Sequence, residues 1–360
     1  MDQARRIGRI GQDERHELGV GVLYALLVVA MYSSFALISR LGLSSSLDVF
    51  DLAALRFGIS GVLLLPIVLG RRLGGVGLHH AVALALLGGL GFALLCYIGF
   101  SLAPAAHAGV LVHGSLPLFT FLIVQLTGAP RRERQEYIGV LTIAAGVVLM
   151  VAETLSNSDP MQLLGDVCLL VGSLFWSGYG VLAARLRIVP LHATALVSFI
   201  SMCLFLPIYL FVPGKHLLQV PMGDLALQVV FQGILIGAGS IFVYTRALAA
   251  LGPSGIALFA AAVPGLTTLI AIPLLGERPG PLGISAVVAT TLGMLIGLQR
   301  LGANASTVGP RTWWSFRHSR QKAEELMRLN DKTLQDVGIT RIDALRAAGH
   351  LSEIESYRTH

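Results

Sequence analysis

Charge is scarce in this chain. Only 13% of its 360 residues are Asp, Glu, Lys or Arg and 54% are hydrophobic, whereas soluble domains carry roughly 25% charged residues. Water is thereby excluded as its main solvent. Cysteine is rarer still: Cys96, Cys168 and Cys203 lie within apolar runs without metal-ligand spacing, so they read as small buried apolar residues and say nothing about redox compartment. No Gly-rich loop ending in Lys-Ser/Thr occurs, which removes ATP as a direct energy source. Gly252-Pro253-Ser254-Gly255 superficially offers the serine of an intramembrane protease, but no histidine follows within the membrane to activate it. Ser254 reads instead as a helix N-cap. Neither an enzyme nor a bound cofactor is expected.

What is present is length without charge. Ten runs approach the roughly 20 apolar residues that span a hydrocarbon core of about 30 Å. They cover Gly19–Ser39, Val49–Leu69, Ala81–Phe100, Ala103–Leu126, Tyr137–Ala152, Leu164–Ala184, Ala193–Val212, Leu225–Leu248, Ser254–Leu275 and Leu282–Leu298. The runs are apolar on all sides, whereas a barrel strand is about ten residues of strict alternation. The fold class is therefore an all-α membrane protein with ten transmembrane helices. The first run follows an Arg-containing segment as a signal peptide would, but its length and the missing cleavage site make it an uncleaved span.

Basic residues in short loops stay on the cytoplasmic side. With the N-terminus inside, the inner segments hold Arg5, Arg6, Arg9, Arg15, Arg71, Arg72, Arg131, Arg132, Arg134, Arg185 and Arg187, and the outer loops only Arg40, Lys215 and Arg278. Both termini are thus expected in the cytoplasm. The net charge of +6 is mostly this topology signal, since residues 1–18 are neutral, 19–310 carry +4 and 311–360 carry +2.

The chain repeats itself. Pro117-Leu118-Phe119-Thr120-Phe121-Leu122-Ile123 aligns with Pro264-Gly265-Leu266-Thr267-Thr268-Leu269-Ile270, with Tyr97 and Tyr244 at the same offset, and Tyr32-Ser33-Ser34-Phe35 aligns with Trp176-Ser177-Gly178-Tyr179. Five helices per half is an odd number, so the second half enters the membrane from the opposite side and the two repeats are inverted. Inverted repeats suit alternating access to a central site.

Particular residues carry a family resemblance. Asp166-Val167-Cys168 through Leu174-Phe175-Trp176-Ser177-Gly178-Tyr179, Tyr244-Thr245-Arg246-Ala247-Leu248, Gly252-Pro253-Ser254, Val263-Pro264, Leu275-Gly276-Glu277-Arg278 and the pair Arg56-Phe57 resemble the drug/metabolite transporter superfamily, EamA type. The resemblance covers residues 19 to 300. It departs at Tyr32-Ser33, where a Trp-Gly pair is usual, and at Gly128-Ala129-Pro130-Arg131-Arg132-Glu133, which replaces a compact Gly-Glu-Arg turn. It implies ten helices, a central cavity and export or exchange of amino acids, nucleobases, drug-like compounds or other small metabolites. A membrane sensor signalling through the cytoplasmic tail is the alternative.

Few groups offer site chemistry. Asp48, Asp51, Glu153 and Asp166 fall close to span ends and read as interfacial or capping acids, Asp166 as a cap of the sixth helix. His113 lies mid-span, four residues before Pro117, which cannot donate to the carbonyl of His113. A polar side chain and a freed carbonyl then coincide, as in broken helices that line substrate cavities; a neutral core histidine bonded to a neighbouring helix is the competing role. Pro264 repeats the helix break and frees the carbonyl of Ala260. His107, nearer the outer surface, is a weaker candidate. Tyr97, Trp176, Tyr179, Gln232, Ser240 and Tyr244 are the proposed lining, with packing as the alternative for each. Arg246 and Arg56 are candidates for an anionic group, with snorkelling or carbonyl capping as the competing role. The many glycines, such as Gly88, Gly89 and Gly91, permit close helix packing. No Asp or Glu is expected near mid-membrane, so His113 is the best-placed proton carrier; otherwise the protein works as a facilitator or exchanger.

The organisation expected is a cytoplasmic segment over residues 1–18, five-helix repeats over 19–153 and 154–300, a linker over 301–312 and a small helical tail over 313–360. In the tail, Arg328-Leu329-Asn330-Asp331-Lys332-Thr333-Leu334 and Asp336-Val337-Gly338-Ile339-Thr340-Arg341 resemble the YjiS-like family of small bacterial proteins, over residues 311–350. Expected partners are a small-molecule substrate, the lipid bilayer, a second copy in a homodimer and an unknown cytoplasmic partner of the tail. The topology makes a direct prediction. Cysteines introduced near Asp159 and Lys215 label with an impermeant thiol reagent in intact spheroplasts and cysteines near Arg132 do not; the reverse pattern inverts the orientation.

Overall fold

A chain in hydrocarbon must satisfy every backbone N–H and C=O internally, so long apolar runs become helices. The computed structural model describes residues 2–45, 47–127, 134–211, 217 and 219–298, leaving aside the side chains of 2–18, 253, 254 and 298. The fold is all-α. Among the described residues nine helices are long and apolar enough to cross a membrane: α1 (Gly19–Ser45), α2 (Val49–Arg71), α3 (Leu78–Leu102), α4 (Ala105–Leu126), α5 (Arg134–Asn157), α6 (Pro160–Arg185), α7 (Pro190–Phe211), α8 (Met222–Gly252) and α9 (Gly255–Leu275). A shorter apolar helix, α10 (Pro281–Leu298), follows. The contacts divide the chain at Gly302, and the second unit, Ala303–His360, lies outside the described residues together with the YjiS-like resemblance it carries.

Helix starts show their causes. Asp48 caps α2 through a capping box: its carboxylate accepts from the Asp51 N–H at 2.7 Å, and the Asp51 carboxylate accepts from the Asp48 N–H at 3.2 Å. Asp159 caps α6, accepting from the N–H groups of Met161 and Gln162 at 2.9 and 3.1 Å, with Pro160 in the first turn, where its missing N–H goes unused. The capping role expected of Asp166 therefore belongs to Asp159. Asp166 lies two turns further in, completely buried.

The bundle is apolar outside and holds its polar groups inside, the inverse of a soluble protein. Leu69, Leu126, Leu141 and Val148 are exposed, while Asp51, Asp166, Ser173 and Gln232 are buried. Without a hydrophobic driving force between helices in lipid, small residues set how closely they approach. Helices α5 and α10 meet backbone to backbone: a Cβ at Gly139 would stand 2.8 Å from the carbonyl oxygen of Gly293. Other pairs are α1 with α8 and the start of α9, α2 with α7 and α8, α3 with α6 and α7, and α4 with α6 and α9.

Three helices carry wide, π-type turns, at Leu86–Leu90 in α3, Gly109–Gly114 in α4 and Val229–Gly239 in α8. Such turns leave the regular hydrogen-bond ladder and recur at functional sites. Helix α4 then breaks at Ser115 and restarts at Leu116, and α9 breaks after Ala260 and restarts at Val263. Pro117 and Pro264 sit in the first turns of the restarted segments.

Packing through glycine is sensitive to volume. Gly139→Leu is expected to destabilise the protein by about 1–3 kcal/mol through overpacking against α10, read as a lowered unfolding midpoint in detergent. A Cβ at Gly180 would meet nothing within 4 Å, so Gly180→Ala leaves that midpoint unchanged or slightly raised through helix propensity.

Candidate functional site

A cavity of about 100 Å³ lies within the bundle, lined from α1, α2, α3, α4, α6, α7 and α8. Its walls are aromatic on one side: Phe35 of α1, Phe57 of α2, Phe92 of α3 and Trp176 and Tyr179 of α6. Phe92 and Trp176 rings stand 4.7 Å apart, and Trp176 and Tyr179 5.2 Å apart. The polar side comprises Arg56, His113, Thr194, Ser198 and Ser240. A wider cavity of about 730 Å³ shares Leu116 and Trp176 with it and extends past Thr120 and Thr127 to Arg185 and Arg187.

His113 projects from the wide turn of α4 with its ring stacked on Tyr32 at 5.5 Å, and its Nδ1 has no side-chain hydrogen-bond partner. Backbone groups loosened around the break are taken up by serines one turn apart on α6. Ser173 donates to the carbonyl of Val112 at 2.8 Å and Ser177 to that of Leu116 at 3.2 Å. Ser115 in turn donates to the Leu111 carbonyl at 2.6 Å and lies 2.8 Å from Ser173. The two broken helices touch, since a Cβ on Gly109 would stand 3.1 Å from the Cα of Pro264.

Four of the lining residues expected from sequence, His113, Trp176, Tyr179 and Ser240, are brought together at this cavity. Tyr97 and Gln232 meet behind its wall instead: the Tyr97 hydroxyl donates to the Gln232 carbonyl at 2.9 Å, and the Gln232 amide donates to Ser39 and Gln228 at 2.9 and 3.2 Å. Tyr244 packs beside Ala25 and Val28, outside the lining. Arg246 is exposed with its guanidinium 5.1 Å from the Phe242 ring centre, away from the cavity, as a snorkelling arginine near a span end would be. Arg56 has the opposite placement. It is 6% exposed and faces the cavity, because the face of α2 it occupies turns inward, which its position in the run does not reveal.

The end of the bundle opposite Arg185 and Arg187 is tied by polar side chains. Arg40 pairs with Glu277 at 2.8 Å and donates to the carbonyls of Phe100 and Ala103, and Glu277 accepts from the Ala105 N–H at 2.7 Å. Glu153 accepts from the Gly280 N–H at 2.6 Å, and Tyr209 donates to Asp51 at 2.5 Å. A closed ring of side chains joins α4, α5 and α6: Asp166 to His107 Nδ1 at 2.8 Å, His107 Nε2 to the Gln162 amide at 3.3 Å, Gln162 to Thr154 at 3.1 Å and Thr154 back to Asp166 at 2.5 Å. The pairing of His107 with Asp166 escaped the sequence because the two residues lie 59 positions apart. Its trace there is an ionisable group near the outer end of each of two apolar runs.

Comparison with known proteins supplies a family. The EamA-like transporter family matches the chain in two stretches, residues 19–152 and 163–298. An uncharacterized transporter of Archaeoglobus fulgidus is 27% identical over 286 residues, covering 75% of this chain and 96% of its own length. The uncharacterized transporter YyaM of Bacillus subtilis is 25% identical over 236 residues, covering 61% of this chain and 74% of its own. One solved crystal structure aligns over 77% of this chain and 96% of its own with 23% identity and a TM-score of 0.49. The family match stops at residue 298, short of the tail.

The buried ring can be tested by removing its shared acceptor. Asp166→Ala leaves the donors on His107 and Thr154 unmatched, and each buried donor left without an acceptor is expected to destabilise by about 1–3 kcal/mol. Asp166→Asn, which still accepts from Thr154, is the milder change. Unfolding midpoints in detergent order the two, and a native midpoint for Asp166→Ala would show that the ring is dispensable.

Proposed function

The chain belongs to the EamA-like transporter family, and from that premise we propose that it moves a small metabolite across a bacterial inner membrane by alternating access at the central cavity. As a member of that family it is a transporter, not an enzyme. The observation that carries the mechanism is the cavity itself, set within the bundle and lined by helices from both halves of the chain.

Inverted repeats supply the mechanism. The pairing pattern supports them: if helices six to ten are written as repeats of one to five, exchanging the halves maps each main pair onto another or onto itself. Thus α1 with α8 becomes α3 with α6, α1 with α9 becomes α4 with α6, and α2 with α7, α4 with α9 and α5 with α10 map onto themselves. Residues at equivalent repeat positions, Tyr32 with Trp176 and Phe35 with Tyr179, face the same cavity. The polar ties at one end and the wide cavity at the other fit one of two exchangeable states, open toward Arg185 and Arg187 and closed at Arg40 and Glu277. The arginine bias supports a cytoplasmic position for the open end and for both termini, and export or exchange is the direction that the family resemblance implies.

Counterflow in proteoliposomes tests this. With a labelled panel of amino acids, nucleobases and small organic acids, the protein is expected to accumulate at least one of them above empty vesicles. Gly88→Leu, which drives a side chain into the Tyr179 ring packed against it in the cavity wall, is expected to reduce that flux at least tenfold while the protein remains folded. A sensor would move nothing.

A further inference from the structure

Arg56 is a permanent charge without a counter-charge among the described residues. It lies eight residues beyond the Asp48 cap, roughly 12 Å along the helix at 1.5 Å per residue, deep within a core about 30 Å thick. Guanidinium does not deprotonate in proteins, so the charge persists there. Among the described residues Glu277 is paired with Arg40 and Asp166 with His107; neither pairing involves Arg56. The other buried acids of the spans are held elsewhere, Asp51 by Tyr209 and Glu153 by the Gly280 N–H. What surrounds Arg56 is aromatic: its guanidinium carbon stands 5.2, 5.9 and 6.0 Å from the ring centres of Phe35, Phe57 and Phe92, and the neutral Tyr97 hydroxyl lies beside it from behind the wall. Cation–π contacts of this kind offset part of the desolvation but make no hydrogen bond. Nη1 is buried with no hydrogen-bond partner.

Among the described residues, the cavity that Arg56 faces has no Asp or Glu in its lining, and its remaining polar side chains are His113, the indole of Trp176 and neutral hydroxyls. An unpaired guanidinium in such a site repels cations and presents a planar fork that matches a carboxylate. Size narrows the class further. The space of about 100 Å³ is of the order of the 150 Å³ cavity that admits benzene, and the aromatic wall suits a compact apolar or planar body.

We infer that Arg56 anchors the carboxylate of a small organic acid in the central cavity. The acid lies with its apolar body against Phe92 and Trp176, and it enters by way of the wider cavity at Trp176. This deepens the transport reading and rests on it for the cycle, but the binding step is measurable apart from flux.

The experiment uses the full-length protein in detergent or nanodiscs, with acetate, pyruvate and benzoate as probes. Benzyl alcohol and benzylamine serve as the neutral and cationic counterparts of benzoate, and inorganic phosphate as an anion of different geometry. At least one carboxylate is expected to bind saturably and raise the unfolding midpoint, and benzyl alcohol and benzylamine are expected to do neither. Arg56→Gln is expected to weaken that binding at least tenfold. Arg56→Lys keeps the charge without the fork and is expected to weaken it less; it also provides the reading should Arg56→Gln fail to fold. The proposal is overturned if no carboxylate binds, if phosphate binds and carboxylates do not, or if the folded variants bind as tightly as the native protein. Flux of neutral or cationic solutes without any carboxylate binding would leave transport standing and remove the anchor. Carboxylate binding without flux of any panel member would keep the anchor and remove transport.

Discussion

An ionised group in hydrocarbon costs several kcal/mol unless something matches it, and the polar architecture of this bundle follows from that constraint. Asp166, Glu153, Asp51, Arg40 and Glu277 each meet a partner on another helix or loop. Those partnerships gather at one end, where they tie α2 to α7 and hold α1, α4, α5, α6 and the segment before α10 together. Arg56 stands apart, facing the cavity with aromatic rings in place of an acid. One end of the molecule is thus closed by matched charge while its centre holds an unmatched one.

The same constraint acts on the backbone. A helix can break in lipid only where something else accepts or donates. In α4 the serines of α6 fulfil that need, with Ser173 and Ser177 reaching the carbonyls of Val112 and Leu116. The break, the wide turn before it and the close contact of Gly109 with Pro264 place the two irregular helices against each other. His113 reaches the cavity because it projects from that turn.

Much of the fold was legible in the sequence. Span positions follow from hydropathy alone, and among the described residues nine long apolar helices with a shorter tenth lie where the runs are. Pro117 and Pro264 mark the irregular points because proline lacks the N–H that a continuous helix needs. The site was half legible. His113, Trp176, Tyr179 and Ser240 were found as polar or aromatic residues in apolar surroundings and do face one cavity, whereas Tyr97 and Gln232 bond each other behind its wall. Arg56 and Arg246 look alike in sequence, each a single arginine a few residues from a span end. One is buried in the cavity and the other exposed.

The sequence by itself determined the solvent of this protein, the positions of its helices and the places where they break, because these depend on composition and on local backbone chemistry. Only the tertiary structure decided which charges are matched. His107 meets Asp166 across 59 residues, Arg40 meets Glu277, and Arg56 meets no acid among the described residues. Helix rotation sets which side chain faces lipid, a neighbour or the cavity, and that rotation is fixed by packing between helices distant in the chain.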